Sequence, residues 1–193
     1  RNDMALKVLI RKLADSVKQP SSFARLANLV SSTGKKITTD TIIDYLNYLE
    51  DTWILFPLEN YVSKLADKVS NKKFYFMDNG ILSLFLMDPE TSLLENLVAV
   101  TLKKRYGDGL YFYHRNIEVD FYLDEAHKAI QVSYSIKDLE TKERETDALI
   151  KLSKVLPCRR LLIITFDEES VLQMDNHARI EVVPVWKWLL MLR

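Results

Sequence analysis

The chain has 193 residues, 48% of them apolar, enough for one substantial core or two small ones. Lys plus Arg and Asp plus Glu both number 27, so a generally basic nucleic-acid coat is excluded, though a local basic patch is not. With only 4 Gly and 5 Pro, the chain is not a collagen-like or low-complexity polymer.

Met4, Val8, Leu9, Leu13 and Val17 fall near helical spacing. This opening pattern, with Arg1 in place of Met, reads as a piece of a longer protein. Gln19-Pro20 ends that helix, and Ser21 or Ser22 is placed to cap a second one bearing Phe23, Leu26, Ala27 and Val30. After a loop at 31–36, Thr38 or Thr39 can cap a third helix, with Ile42, Ile43, Leu46 and Leu49 as its apolar stripe. Strands are expected over Ile54–Val62 and Lys73–Met77, then turn chemistry at Asp78-Asn79-Gly80 and a short helix over Ile81–Leu86. Three helices and a two-stranded hairpin are the order of a winged helix-turn-helix, assigned to residues 1–88.

Beyond Asp88-Pro89, Ser92–Arg105 reads as a helix. Strands follow over Leu110–His114, Ile117–Leu123 and Ala129–Ser135, then a charged helix over Thr141–Leu156. Arg160–Phe166 and Ile180–Val185 are further strands, and Trp186–Leu192 closes as a short helix. An αβββαβ order suits a mixed sheet with helices on it, so residues 89–193 form a second domain and the fold class is mixed α/β.

One cysteine, Cys158, excludes an internal disulfide framework, and the three histidines have no metal-ligand spacing. No apolar run approaches the roughly 18 residues of a membrane helix, and no signal peptide is visible. A reducing, cytoplasmic setting and no membrane partner are therefore expected.

The sharpest chemical pattern is Glu118-Val119-Asp120-Phe121 followed by Ile130-Gln131-Val132-Ser133. Strand alternation puts Glu118 and Asp120 on one face, and Gln131 and Ser133 on one face of the next strand. If the strands pair, Asp120 sits beside Gln131 and Ser133, with Glu95 of the preceding helix in reach. Such an acidic cluster is how Mg²⁺ or Mn²⁺ is held for phosphodiester cleavage, with Glu95 and Asp120 as the candidate ligands.

These stretches resemble the PD-(D/E)xK nuclease-like, restriction-endonuclease-like fold. More narrowly, Thr39–Leu55, Lys73–Leu82, Glu95–Val98, Glu118–Phe121, Ile130–Tyr134, and Thr141 with Arg144-Glu145 are together similar to the C-terminal region of a prokaryotic family of predicted AAA-type P-loop ATPases. The resemblance implies an upstream ATP-binding module as partner. That module is not in this chain, because Gly34-Lys35-Lys36 lacks the glycine and hydroxyl residue of a Walker A motif. The active pattern has an acid, one spacer and a lysine. Here Gln131 and Ser133 occupy those positions, so the catalytic set Glu95, Asp120, Gln131 and Ser133 reads as degenerate. Glu118, Thr141, Arg144 and Glu145 are supporting residues, with Thr141 a candidate helix cap and Arg144 expected to pair with Asp120 or Glu95.

Residues 37–62 contain no Lys or Arg, whereas Asp40, Asp44, Glu50, Asp51 and Glu59 all fall there. Such a surface repels phosphate. Lys35, Lys36, Lys64, Lys68, Lys72 and Lys73 are the candidate nucleic-acid contacts. Tyr45, Tyr48 and Trp53 are read as core or interface residues, and Cys158 as a small core residue. Trp186 and Trp188 are a hydrophobic clasp, or an interface patch if exposed. The expectation is a non-catalytic sensing or partner-binding module of an AAA-type ATPase. Its alternatives are a metal-dependent DNA nuclease using Glu95, Asp120 and a migrated cation such as Lys137, and a defence- or toxin-like switch that docks protein through the acidic third helix.

Overall fold

A computed structural model of the chain describes residues 3–34, 36–62, 71–174 and 178–192. It is mixed α/β and divides into two compact units, the first ending at Asn96 and the second starting at Leu97.

In the first unit α1 (Asp3–Asp15) buries Leu9 and Leu13 of the expected stripe, but Ala5 and Ala14 complete its buried face; Met4 is exposed, Val8 half-buried, and Val17 is buried beyond the end of the helix. The pair Ser21–Ser22 forms β1, and Ser22 caps α2 (Phe23–Ser31), its hydroxyl accepting from Arg25 N–H at 3.2 Å. Thr38 caps α3 (Thr39–Asp51) in the same way through Thr41 N–H, and Ile42, Tyr45, Leu46 and Leu49 form the buried stripe. Ile43 is half-buried, so Tyr45 replaces it in the core. β2 (Leu55–Asn60) and β3 (Asn71–Phe76) pair antiparallel from Leu55↔Phe76 to Leu58↔Lys73, and β1 adds to β3. Asp78 caps α4 (Asn79–Ser83), accepting from Ile81 N–H at 2.9 Å. Gly80 belongs to that cap, because a Cβ there would stand 2.8 Å from Asp78 Oδ1.

Helix α5 (Glu90–Tyr106) contains the division between the units, eight residues past the Asp88-Pro89 step. Asn96 is the reason. Its Oδ1 accepts from Phe76 N–H, and its Nδ2 donates to Phe76 O and to Asn79 Oδ1, each at 2.8 Å. Asn79 in turn donates to Leu93 O at 3.0 Å. This set of buried and half-buried hydrogen bonds ties the first half of α5 to the end of β3.

The second unit is a six-stranded mixed sheet in the order β4-β5-β6-β7-β9-β8. Its strands are β4 (Leu110–His114), β5 (Glu118–Leu123), β6 (Lys128–Val132), β7 (Arg160–Thr165), β8 (Ser170–Gln173) and β9 (Arg179–Pro184). β4, β5 and β6 run antiparallel in turn. β6, β7 and β9 run parallel, with α6 (Leu139–Ser153) as the crossover from β6 to β7. Central β7 reads Leu-Leu-Ile-Ile-Thr and is buried throughout that run, as a parallel strand covered on both faces must be. Edge strand β8 carries no strand signal in its sequence. Most of its side chains are exposed, so no apolar alternation marks it. Helix α7 (Val185–Met191) packs on β9 and β7. Trp188 is buried there, whereas Trp186 is exposed.

Candidate functional site

The site forms where β5 and β6 part. Their ladder runs through Leu123↔Lys128, Tyr122↔Ala129 and Phe121↔Ile130. One step further, side chains carry the bonds that backbone would otherwise make. Asp120 N–H donates to Gln131 Oε1 at 2.8 Å, and Val132 N–H donates to Asp120 Oδ2 at 2.9 Å. The Gln131 amide donates to Glu118 O at 3.3 Å and to Glu145 Oε2 at 2.8 Å. A backbone N–H can only donate, so the amide oxygen must face Asp120 and the amide nitrogen must face Glu145. Gln131 is 4% exposed and is used at both ends.

Helix α6 delivers Glu145 and Arg144. Asp138, rather than Thr141, caps this helix, its Oδ2 accepting from Thr141 N–H at 2.8 Å. That bond holds the exposed Asp138 carboxyl below its ordinary pKa. Arg144 donates to Glu145 Oε1 from Nε at 3.2 Å and from a terminal nitrogen at 2.7 Å. Its hydrogen-bond and ion-pair partner is therefore its own neighbour, not Asp120 or Glu95. The Asp120 charge still helps to hold the guanidinium protonated, after the bond to Glu145. Glu145 is 6% exposed. Burial lifts its pKa, the Arg144 hydrogen bond opposes, and the negative charges of Asp120 and Glu118 add to the rise.

This donor set does not suit a hard divalent cation. The Gln131 carbonyl is committed to Asp120 N–H, one Asp120 oxygen to Val132 N–H, and both Glu145 oxygens to protein donors. Among the described residues no three carboxylates, histidines or cysteines gather with metal-binding geometry.

Ser133 donates its hydroxyl to Ser135 O at 2.9 Å, and Lys137 is exposed. Glu95 belongs to the first unit, is 3% exposed, and accepts from Tyr75 OH at 2.8 Å. Lys73 Nζ stands 3.9 Å from that same Glu95 oxygen. Lys73 is 0% exposed, which removes it from the phosphate-contact set. The reason is strand period: Lys73 and Tyr75 share a face of β3, and both meet Glu95. Reading that alternation through the lysine would have found the pair in the sequence. Lys72 stands 3.9 Å from Glu59, and Lys36 is exposed. Lys35, Lys64 and Lys68 lie outside the described residues. Tyr45 is buried, but Tyr48 and Trp53 are exposed. Cys158 is half-buried, and burial pushes its thiol pKa up to about 11, away from nucleophilic use.

Residues 1–92 match the family model of a domain of unknown function, DUF8612. The chain is 34% identical to an uncharacterized protein of Methanocaldococcus jannaschii over 201 aligned residues, covering 98% of this chain and 45% of that protein. It is 25% identical to an uncharacterized protein of Haemophilus influenzae over 189 residues, covering 96% of this chain and 46% of that protein. The chain thus spans about half the length of the curated relatives it matches. No solved structure matches it.

Proposed function

We propose that this chain is a non-catalytic sensing or partner-binding module that works with an AAA-type ATPase, and that its nuclease-like site survives as a structural clasp. The observation that carries the reading is the double use of Gln131. Where a nuclease of this type needs a free carboxylate for metal, this chain has a neutral amide spent on Asp120 N–H and Glu145. The position where a cation would steady the transition state holds Ser133, which bonds to Ser135 instead.

Element order supports the two halves of the assignment. Three helices before the antiparallel β2–β3 pair suit a winged helix. The helix, three antiparallel strands, crossover helix and parallel strand of the second unit suit a nuclease-like domain. The exposed Asp40, Asp44 and Asp51 on α3 favour a protein partner over DNA. ATP would be bound by the partner module, and the cytoplasm is the compartment that fits.

The test is a cleavage assay on supercoiled, linear and branched DNA with Mg²⁺ and Mn²⁺, run beside Asp120→Ala. No cleavage by either protein is expected. Cleavage by the parent chain that Asp120→Ala abolishes would overturn the reading.

A further inference from the structure

We propose that the second unit binds a small organic monocarboxylate, with an apolar body about the size of a benzene ring, in a cavity away from the Asp120 clasp. The cavity has a volume of about 120 Å³. Leu123, Ile130, Leu162, Val183 and Trp188 line it, and all five are buried. An engineered apolar cavity of about 150 Å³ accepts benzene, so this one suits a ring or short branched chain whose polar end stays at the mouth.

The polar lining is one-sided. Arg105, Lys128 and Arg160 all contribute to it. Strand register places Leu123, Lys128 and Arg160 side by side across β5, β6 and β7. Like charges directly opposite on neighbouring strands repel. Among the described residues one carboxylate answers the three cations: Glu181 accepts from Arg160 at 2.7 Å. Arg105 donates to the main-chain oxygen of Leu192, which carries no net charge. The main chain of Lys128 belongs to the sheet ladder, and among the described residues its ammonium has no hydrogen-bond or ion-pair partner. A carboxylate at the mouth would meet the Lys128 ammonium while its apolar body enters the cavity. An anion without such a body would leave the apolar walls unused, and a neutral ring would leave the cations unanswered.

The whole chain, labelled with ¹⁵N, is titrated with benzoate, with hexanoate, and with acetate and benzyl alcohol as probes lacking the body or the charge. Benzoate or hexanoate should shift the amides of Leu123, Lys128 and Leu162 and the Trp188 indole saturably below about 10 mM. Acetate and benzyl alcohol should bind at least about tenfold more weakly. Lys128→Gln should weaken benzoate about tenfold, the scale of one hydrogen bond to a charged group, and Lys128→Arg should retain it. If Lys128→Gln alters the spectrum of the free protein, Lys128→Met repeats the test. No saturable shift at these residues, acetate binding as tightly as benzoate, or affinity indifferent to the loss of the Lys128 charge would each overturn the proposal.

Discussion

Gln131 joins two strands and a helix through one buried amide. Gln131→Leu keeps most of the volume but strands Asp120 N–H and a Glu145 oxygen in a buried place. Each orphaned group costs about 1–3 kcal/mol, so a loss of roughly 2–6 kcal/mol is expected, read from urea unfolding. Glu145 beside it carries a pH signature. Its pKa is raised above the ordinary 4.5, so the folded state keeps this proton to higher pH than the unfolded chain does. The group's contribution to stability is therefore fully present below that ordinary value and is lost as pH rises through the folded value. Glu145→Gln imitates the protonated form. The difference in urea midpoint between variant and parent should move in the variant's favour as pH rises from about 4 to about 7.

The end of α3 is a Schellman-type cap built without glycine. Ile54 N–H reaches Leu49 O at 2.9 Å and Trp53 N–H reaches Glu50 O at 3.0 Å, while Trp53 sits in the left-handed region at φ 58°. Glycine is the residue that this position favours, and Trp53 is 76% exposed, so its side chain returns little burial. Trp53→Gly should raise stability by about 0.5–1 kcal/mol in thermal or urea unfolding. The junction of β3, α4 and α5 predicts the opposite sign. Asn96→Ala leaves both polar groups of the Phe76 backbone without this side chain, at a cost of about 3 kcal/mol. Gly80→Ala should cost about 1 kcal/mol by pushing aside the Asp78 carboxylate that caps α4. Equal midpoints for parent and either junction variant would remove that polar set from the account of how α5 is held.

Across the whole molecule charge is balanced, and Lys73 of the basic set lies inside the protein. A labelled short duplex should therefore show no affinity whose logarithm falls linearly with the logarithm of salt concentration. Such a slope, reduced by Lys36→Ala with Lys72→Ala, would restore a nucleic-acid surface. Most element types and their order were legible from periodicity, Pro-Ser and Asp-Asn-Gly punctuation and apolar runs, because these signals are local. Asp120 and Gln131 were placed side by side by strand parity alone, since alternation and pairing leave few other arrangements. The direction of each polar bond was not legible. Arg144 turning to Glu145, Asp138 capping ahead of Thr141, and Lys73 meeting Glu95 indoors each depend on which neighbour is nearest in space. The mixed α/β class and most of the apolar helix faces were readable along the chain, because composition and spacing between near neighbours carry them. That Gln131 is spent on holding strands and helix together, and that Lys128 and Arg160 line one cavity, follows from the folded arrangement alone. Hydrogen-bond choice and cavity lining arise from contacts between residues far apart in the chain.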